Sequence, residues 1–149
     1  MKLSGEGAKF IIKEEGQVLE VYLDWVGYKT AGIGHLIPSD NPLKVGDKIT
    51  AEQSAKWFHE DIKKFEDGVS KDVAVPVSQS QFDALVSFTF NIGLAGFAGS
   101  TLLKLLNQKS YDLAAAQFAR WNKAGGQISK VLTARRERER KLFTDGVYA

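Results

Sequence analysis

An α+β fold, mainly helical, is predicted by three features of the sequence. Apolar residues recur every three or four positions along most of the chain, one stretch near residues 17–35 changes period and gathers glycines, and capping signals precede the long runs. The expected arrangement has two lobes: a small β-containing lobe over about residues 16–50, a connecting helix over about 50–69, and a helical lobe over about 70–149 that also takes in a first helix at 4–15. A cleft between two such lobes is the default binding site.

Each element has a local reason. Ala8, Ile11 and Ile12 set the first helix, and Gly16 stops it. Val18, Tyr22, Val26 and Tyr28, interleaved with Gly27, Gly32 and Gly34, predict short strands and tight turns. Pro38 and Pro42 make 37–48 a loop. Thr50-Ala51-Glu52-Gln53 is a capping box that opens a helix to about Val69, with the stripe Ala55, Phe58, Ile62, Phe65 and Val69. Pro76 blocks helix, and Ser78-Gln79-Ser80-Gln81 opens the next one, whose buried stripe is Phe82, Leu85, Val86, Thr89 and Phe90. Gly93, Gly96 and Gly99 mark a turn-rich segment. Three more helices are expected from Thr101 to about Leu106, from Tyr111 to about Lys123, where Gly125-Gly126 ends the run, and from Thr133 to about Phe143.

The 149 residues make one domain, long enough that folding buries roughly 68–70% of the unfolded surface without a disulfide or metal staple. There are no cysteines, which removes disulfides, Cys-ligated zinc and thiol nucleophiles, and only two histidines, His35 and His59. No apolar run approaches a membrane span, and Phe10-Ile11-Ile12 is too short for the core of a secretory signal. Charge is uneven. Residues 1–70 hold nine lysines against twelve acids, a net −3, and residues 71–149 hold eleven basic against six acidic residues, a net +5. That basic half suits an anionic partner such as nucleic acid, lipid or bacterial wall, or a plain solvated face.

The β region carries the chemistry. Tyr22 to Gly32 is symmetric about Gly27, so a turn there would set Asp24 opposite Thr30 and Tyr22 opposite Gly32. Glu15, at the end of the first helix, would face them. Two carboxyl groups over one space are what glycoside hydrolysis needs: one donates a proton to the leaving oxygen, and the other stays ionised. Glu15, beside apolar helix residues, is the better acid, and Asp24, in a polar loop, the better carboxylate, with Thr30 orienting water. By composition alone Glu14 and Glu20 are equally available, and ordinary solvated acids would look the same.

Glu15-Gly16, Tyr22-x-Asp24 and Gly27-x-x-Thr30-x-Gly32-Ile33-Gly34-His35 together resemble the active-site signature of the phage-type lysozymes, glycoside hydrolase family 24. The resemblance continues through Gln81-Phe82-Asp83-Ala84-Leu85, Phe90-Asn91-Ile92-Gly93, Phe97-Ala98-Gly99-Ser100-Thr101, Trp121-x-x-Ala124-Gly125-Gly126 and Arg135-Arg136-x-x-Glu139. It covers nearly the whole chain in order and is nearest to endolysins of lambdoid, enterobacterial phages.

The resemblance implies hydrolysis of the β-1,4 bond between N-acetylmuramic acid and N-acetylglucosamine in peptidoglycan, with inversion and without metal or organic cofactor. It makes Glu15 the general acid, Asp24 the second carboxylate and Thr30 the residue that places water. Gly34, Leu36, Phe90, Asn91, Thr101 and Gln117 fall at sugar-binding positions. His35 is expected to pair with Asp61 as a structural ion pair, and one of Arg135 or Arg136 to reach Glu14 or Glu15. The charge alternation after Arg135 otherwise reads as a solvated helix. A monomer is implied that does not insert stably into membrane or bind nucleic acid. It would wait in the host cytoplasm until a holin releases it to the wall. The competing readings are a lytic transglycosylase and a wall-binding module without catalysis.

Overall fold

The computed structural model describes residues 1–148. The helices are α1 (Gly5–Glu15), α2 (Ala51–Asp72), α3 (Gln79–Ile92), α4 (Leu94–Ala98), α5 (Thr101–Asn107), α6 (Tyr111–Gln117) and α7 (Lys130–Asp145), with one 3-10 turn at Phe118–Arg120. The strands are β1 (Val18–Leu23), β2 (Lys29–Gly32), β3 (His35–Leu36), β4 (Lys123–Ala124) and β5 (Gln127–Ile128). Helix dominates, as the sequence predicts; three of the strands fall in the expected β region, and β4 and β5 form a second, separate hairpin that the sequence reading did not expect. Among the described residues no helix is long and apolar enough to cross a membrane.

The chain forms two compact units, Ile11–Lys64 and a second made from Met1–Phe10 with Phe65–Ala149. The first holds an antiparallel sheet in the order β1-β2-β3. Residues 46–49 line the other edge of β1: Val21 N donates to Asp47 O, and Ile49 N to Leu19 O. Its apolar centre is Val21, Ala31 and Ile37, with Leu43, Ile49 and Trp57 packed against it. Lys29 Nζ secures the Pro38–Pro42 loop by donating to the carbonyls of Asn41 and Leu43, at 2.9 and 2.6 Å. The buried stripe of α2 differs by one position from the expected one. Ala55 is exposed and Ser54 is buried in its place, its hydroxyl donating to Gln17 Oε1 at 2.9 Å.

In the second unit α3 packs chiefly on α7, and α5 on α6. Helix α3 is buried without interruption from Phe82 to Thr89, so it has no solvent-facing stripe over those residues. Phe88 meets Phe118 and Trp121 edge-on, at 5.1 and 5.7 Å between centroids, and Phe118 meets Phe143 at 5.6 Å. Both halves of the Ser78 capping box form. Asp83, fully buried, accepts from the Ser4 amide and hydroxyl, from Gln79 Nε2 at 2.8 Å and from the Tyr148 hydroxyl at 2.7 Å.

Three local expectations need correction. The glycine-punctuated segment after Gly93 closes into the short helix α4 around buried Phe97, because Gly96 and Gly99 break no hydrogen bond that five residues need. The helix from Tyr111 stops at Gln117 and Arg120 rather than near Lys123. Gly125-Gly126 does not cap it; both glycines have positive φ (59° and 80°) and form the turn between β4 and β5, a conformation open to residues without a Cβ. Finally α7 begins at Lys130, capped by the Ser129 hydroxyl, and is not a solvated charge ladder. Arg135, Arg136 and Glu139 are buried; Glu139 accepts from Arg135 Nε at 3.2 Å, Arg136 Nη1 at 2.5 Å and the Ser87 hydroxyl at 2.6 Å. Burial is tolerable because Glu139 is shared by both guanidinium groups and further donors are used, Arg135 Nη2 on Ser87 O at 3.1 Å and Arg136 Nε on Trp121 O at 2.8 Å. On the surface the i,i+3 pairing holds for Glu137 and Arg140, and that hydrogen bond holds the Glu137 carboxyl below the usual range.

Candidate active site

Glu15 is the last residue of α1, where Gly16, at φ +73°, ends the helix and its amide donates to Ile12 O. The chain then enters β1 and reaches Tyr22, Leu23 and Asp24. The strand register is not the one expected. Tyr22, not Asp24, opposes Thr30; Leu23 opposes Lys29; and Gly32 opposes Val18 across an irregularity in β1. The reason lies in Asp24 itself. Its amide donates to Tyr28 O, and its Oδ1 accepts from the amides of Val26, Gly27 and Tyr28 at 3.0, 2.8 and 2.8 Å. An aspartate that caps its own turn in this way belongs to the turn and not to the strand. Gly27 supplies the positive φ, +101°, that the turn requires.

Asp24 is therefore held by one oxygen. Oδ1 takes three backbone donors, and Oδ2 has no hydrogen-bond partner among the described residues. Thr30 is buried, and its hydroxyl donates to Tyr28 O at 3.0 Å, which leaves its lone pairs able to accept from a water. Tyr22 joins these groups. Burial first, then the negative charges of Glu15 and Asp24, push the Tyr22 phenol above its ordinary value. Both carboxyl groups thus lie close enough to one hydroxyl to oppose its ionisation, and the cross-strand partner of that tyrosine is Thr30. The sequence reading had Tyr22 as a strand residue and within the Tyr22-x-Asp24 motif, with no role of its own. Its signal was its place two residues before the aspartate.

The other candidates of this unit lie on the next turn and strand. Gly34 adopts φ +64° between β2 and β3, and Leu36 is exposed on β3. Gly32 lies against α2, where an added Cβ would stand 3.0 Å from Ser54 Oγ. His35 Nδ1 donates to Asp61 Oδ2 at 2.7 Å, and its ring stacks on Trp57 at 4.4 Å and 13°. His59 is exposed.

The remaining candidates belong to the second unit. Phe90 and Asn91 sit in the last turn of α3, Phe90 against the ring of Phe65 at 5.1 Å. Asn91 is exposed, and its carbonyl oxygen accepts from Arg136 Nη2. Thr101 opens α5 and is exposed; Gln117 ends α6 and is half-buried. Among the described residues no group of three or more His, Cys, Asp or Glu side chains could hold a metal ion.

A glutamate that ends α1 and a hairpin that presents an aspartate and a threonine, on an α+β chain of this length, define a class, and the comparisons agree with it. The phage lysozyme family matches residues 12–139, and the chain belongs to that family. It is similar to the endolysin of Salmonella phage P22, 45% identical over 144 residues, covering 96% of this chain and 98% of that one. It is also similar to the endolysin of Bacillus phage PZA, 42% identical over 148 residues, 98% of this chain but 56% of the longer relative. Among solved structures, the endolysin from Escherichia coli O157:H7 phage FAHEc1 superposes with a TM-score of 0.90 at 38% identity, covering 100% of this chain and 97% of that one. Within the family this chain is of the endolysin kind, a bacteriolytic muramidase.

Proposed function

We propose that this muramidase cuts peptidoglycan at the β-1,4 bond between N-acetylmuramic acid and N-acetylglucosamine, with Glu15 as general acid, Asp24 as second carboxylate and Thr30 as the residue that places water. The observation that carries this reading is the β1–β2 turn, where three backbone amides fix Asp24 Oδ1 and the buried Thr30 follows on β2, with Glu15 ending α1 just before β1. In the proposed step Glu15 delivers its proton to the glycosidic oxygen as the bond from that oxygen to C1 breaks. Water held by the Thr30 hydroxyl attacks C1 from the opposite face, and its proton passes to Asp24 Oδ2. The sugar inverts, a course that calls for carboxyl groups about 6.5–9.5 Å apart. Asp24 suits its part because Oδ1 is fixed by three amides while Oδ2 faces no competing donor among the described residues.

Gly34, Leu36, Phe90, Asn91, Thr101 and Gln117 are proposed to contact the sugar strand, and the His35–Asp61 pair to pin β3 to α2. The enzyme works as a monomer without cofactor. It is proposed to accumulate in the infected cell and to reach the wall when a holin opens the membrane; lysis of cells expressing this chain alone, with the membrane intact, would remove that step.

The test is clearing of purified wall by wild-type, Glu15→Gln and Asp24→Asn proteins, with the products analysed by mass and anomeric form. We expect each substitution to cost at least about 100-fold in rate, the lower end for a lost general acid. Products should carry one water more than a 1,6-anhydro sugar, which excludes the transglycosylase course, and should form as the α-anomer. Equal clearing by Glu15→Gln and wild type would overturn the assignment.

A further inference from the structure

The tip of the β1–β2 hairpin is more apolar than a solvated turn requires. Trp25 is 86% exposed, Tyr28 61%, Val26 58% and Leu23 54%, all within four residues of Asp24. Turns of this kind ordinarily carry Gly, Asn, Asp or Ser. These side chains stand on a fixed base, since the same three amides that hold Asp24 Oδ1 belong to Val26, Gly27 and Tyr28. The Trp25 indole makes no ring contact or hydrogen bond among the described residues, and the proposed mechanism leaves it unused.

We propose that Trp25, flanked by Val26 and Tyr28, is a stacking platform for the glycan strand beyond the bond that is cut. This rests on the reading of Asp24 as the second carboxylate. The substrate is a polymer, so a strand with one linkage at Asp24 continues past it. The adjacent residue in the chain, Trp25, has its Cα only about 3.8 Å away. One face of a pyranose ring presents C–H groups, which sit on the electron-rich face of an indole. A neutral sugar face also fits the local charge better than a lipid surface does. Asp24 is the preceding residue, residues 1–70 carry a net −3, and helices or loops that enter anionic membrane bring lysine and arginine.

The experiment compares wild type, Trp25→Ala and Trp25→Phe, each first shown to melt at the same temperature. Peptide-stripped glycan strands from peptidoglycan serve as substrate in initial-rate assays, and the same strands are titrated onto the Glu15→Gln protein while indole emission is followed. We expect Trp25→Ala to raise KM about tenfold with kcat within about twofold, and Trp25→Phe to recover most of the loss. The emission change on adding glycan should vanish in Glu15→Gln protein that also carries Trp25→Phe, where Trp57 and Trp121 remain. Unchanged KM and unchanged emission would overturn the platform. So would an emission shift on phosphatidylglycerol vesicles with none on glycan, which would assign the tip to membrane. A wild-type protein that releases no reducing ends would instead overturn the muramidase roles of Glu15 and Asp24, and the titration would still decide the platform.

Discussion

Asp83 and Tyr148 illustrate how much a single buried carboxylate organises. The Tyr148 phenol is pushed above its ordinary 10.0 by burial, then by its hydrogen bond to Asp83, with a smaller contribution from the charge of Glu6. A folded-state value above the unfolded one means that the contribution of Tyr148 is fully present below about pH 10 and is lost as pH rises through the raised value. Tyr22 acts in the same direction. We therefore expect Tyr148→Phe to cost about 1 kcal/mol at neutral pH and to flatten the alkaline decline in melting temperature between about pH 9 and 12. A decline as steep as that of wild type would separate Tyr148 from the effect. At this scale the sequence was only partly legible. Glu15, Asp24 and Thr30 stood out because the chemistry restricts residue type. Their surroundings, Tyr22 across from Thr30 and the three turn amides on Asp24, did not, since a cross-strand partner is fixed by where the turn starts. Taking Gly27 as the centre ignored the preference of Asp24 to cap its own loop, and the register slipped by two.

Among elements, the starts of helices were readable where a hydroxyl residue stands at the right distance from a glutamine. Ser78 accepts from the Gln81 amide at 3.2 Å and its own amide donates to Gln81 Oε1 at 2.8 Å. Because α3 is the most buried helix, Ser78→Ala should lower stability by about 1 kcal/mol, while Ser78→Gly should cost only a few tenths. Urea unfolding of the three proteins decides this, and equal losses for Ala and Gly would point away from capping. Element ends were less readable. Gly125-Gly126 obeys the rule for a helix stop, yet the local pairing of Lys123 with Ile128 makes it a hairpin. Ser54 replaced Ala55 on the inner face of α2 because a polar group with a partner, here Gln17, is as buriable as a methyl. The same logic hid the Arg135–Arg136–Glu139 cluster behind what looked like a solvated pattern.

For the whole molecule, burying Arg135 and Arg136 changes which cations are left to meet an anionic wall. Arg120, Lys104, Lys109, Lys123 and Lys130 are exposed and lie in the stretch that carries the net +5. Raising ionic strength from about 0.1 to about 1 M shortens screening from about 10 to about 3 Å. Binding to intact wall should then weaken more than cleavage of short oligosaccharides, as sedimentation and rate assays would report. Equal sensitivity of the two would remove wall attraction as a role for that charge. The fold class was legible at this scale because it depends on summed periodicity, which single errors of register or boundary barely disturb.

The division of the chain into one continuous unit and one interrupted unit also bears on the order in which the protein takes shape during synthesis. Residues 11–64 leave the ribosome as one stretch, with the contacts internal to their own unit available at once. Residues 1–10 emerge first yet must wait: Ser4 has no carboxylate to bind until Asp83 has been translated, and Tyr148 joins them later still. The earliest-made segment is therefore among the last to settle.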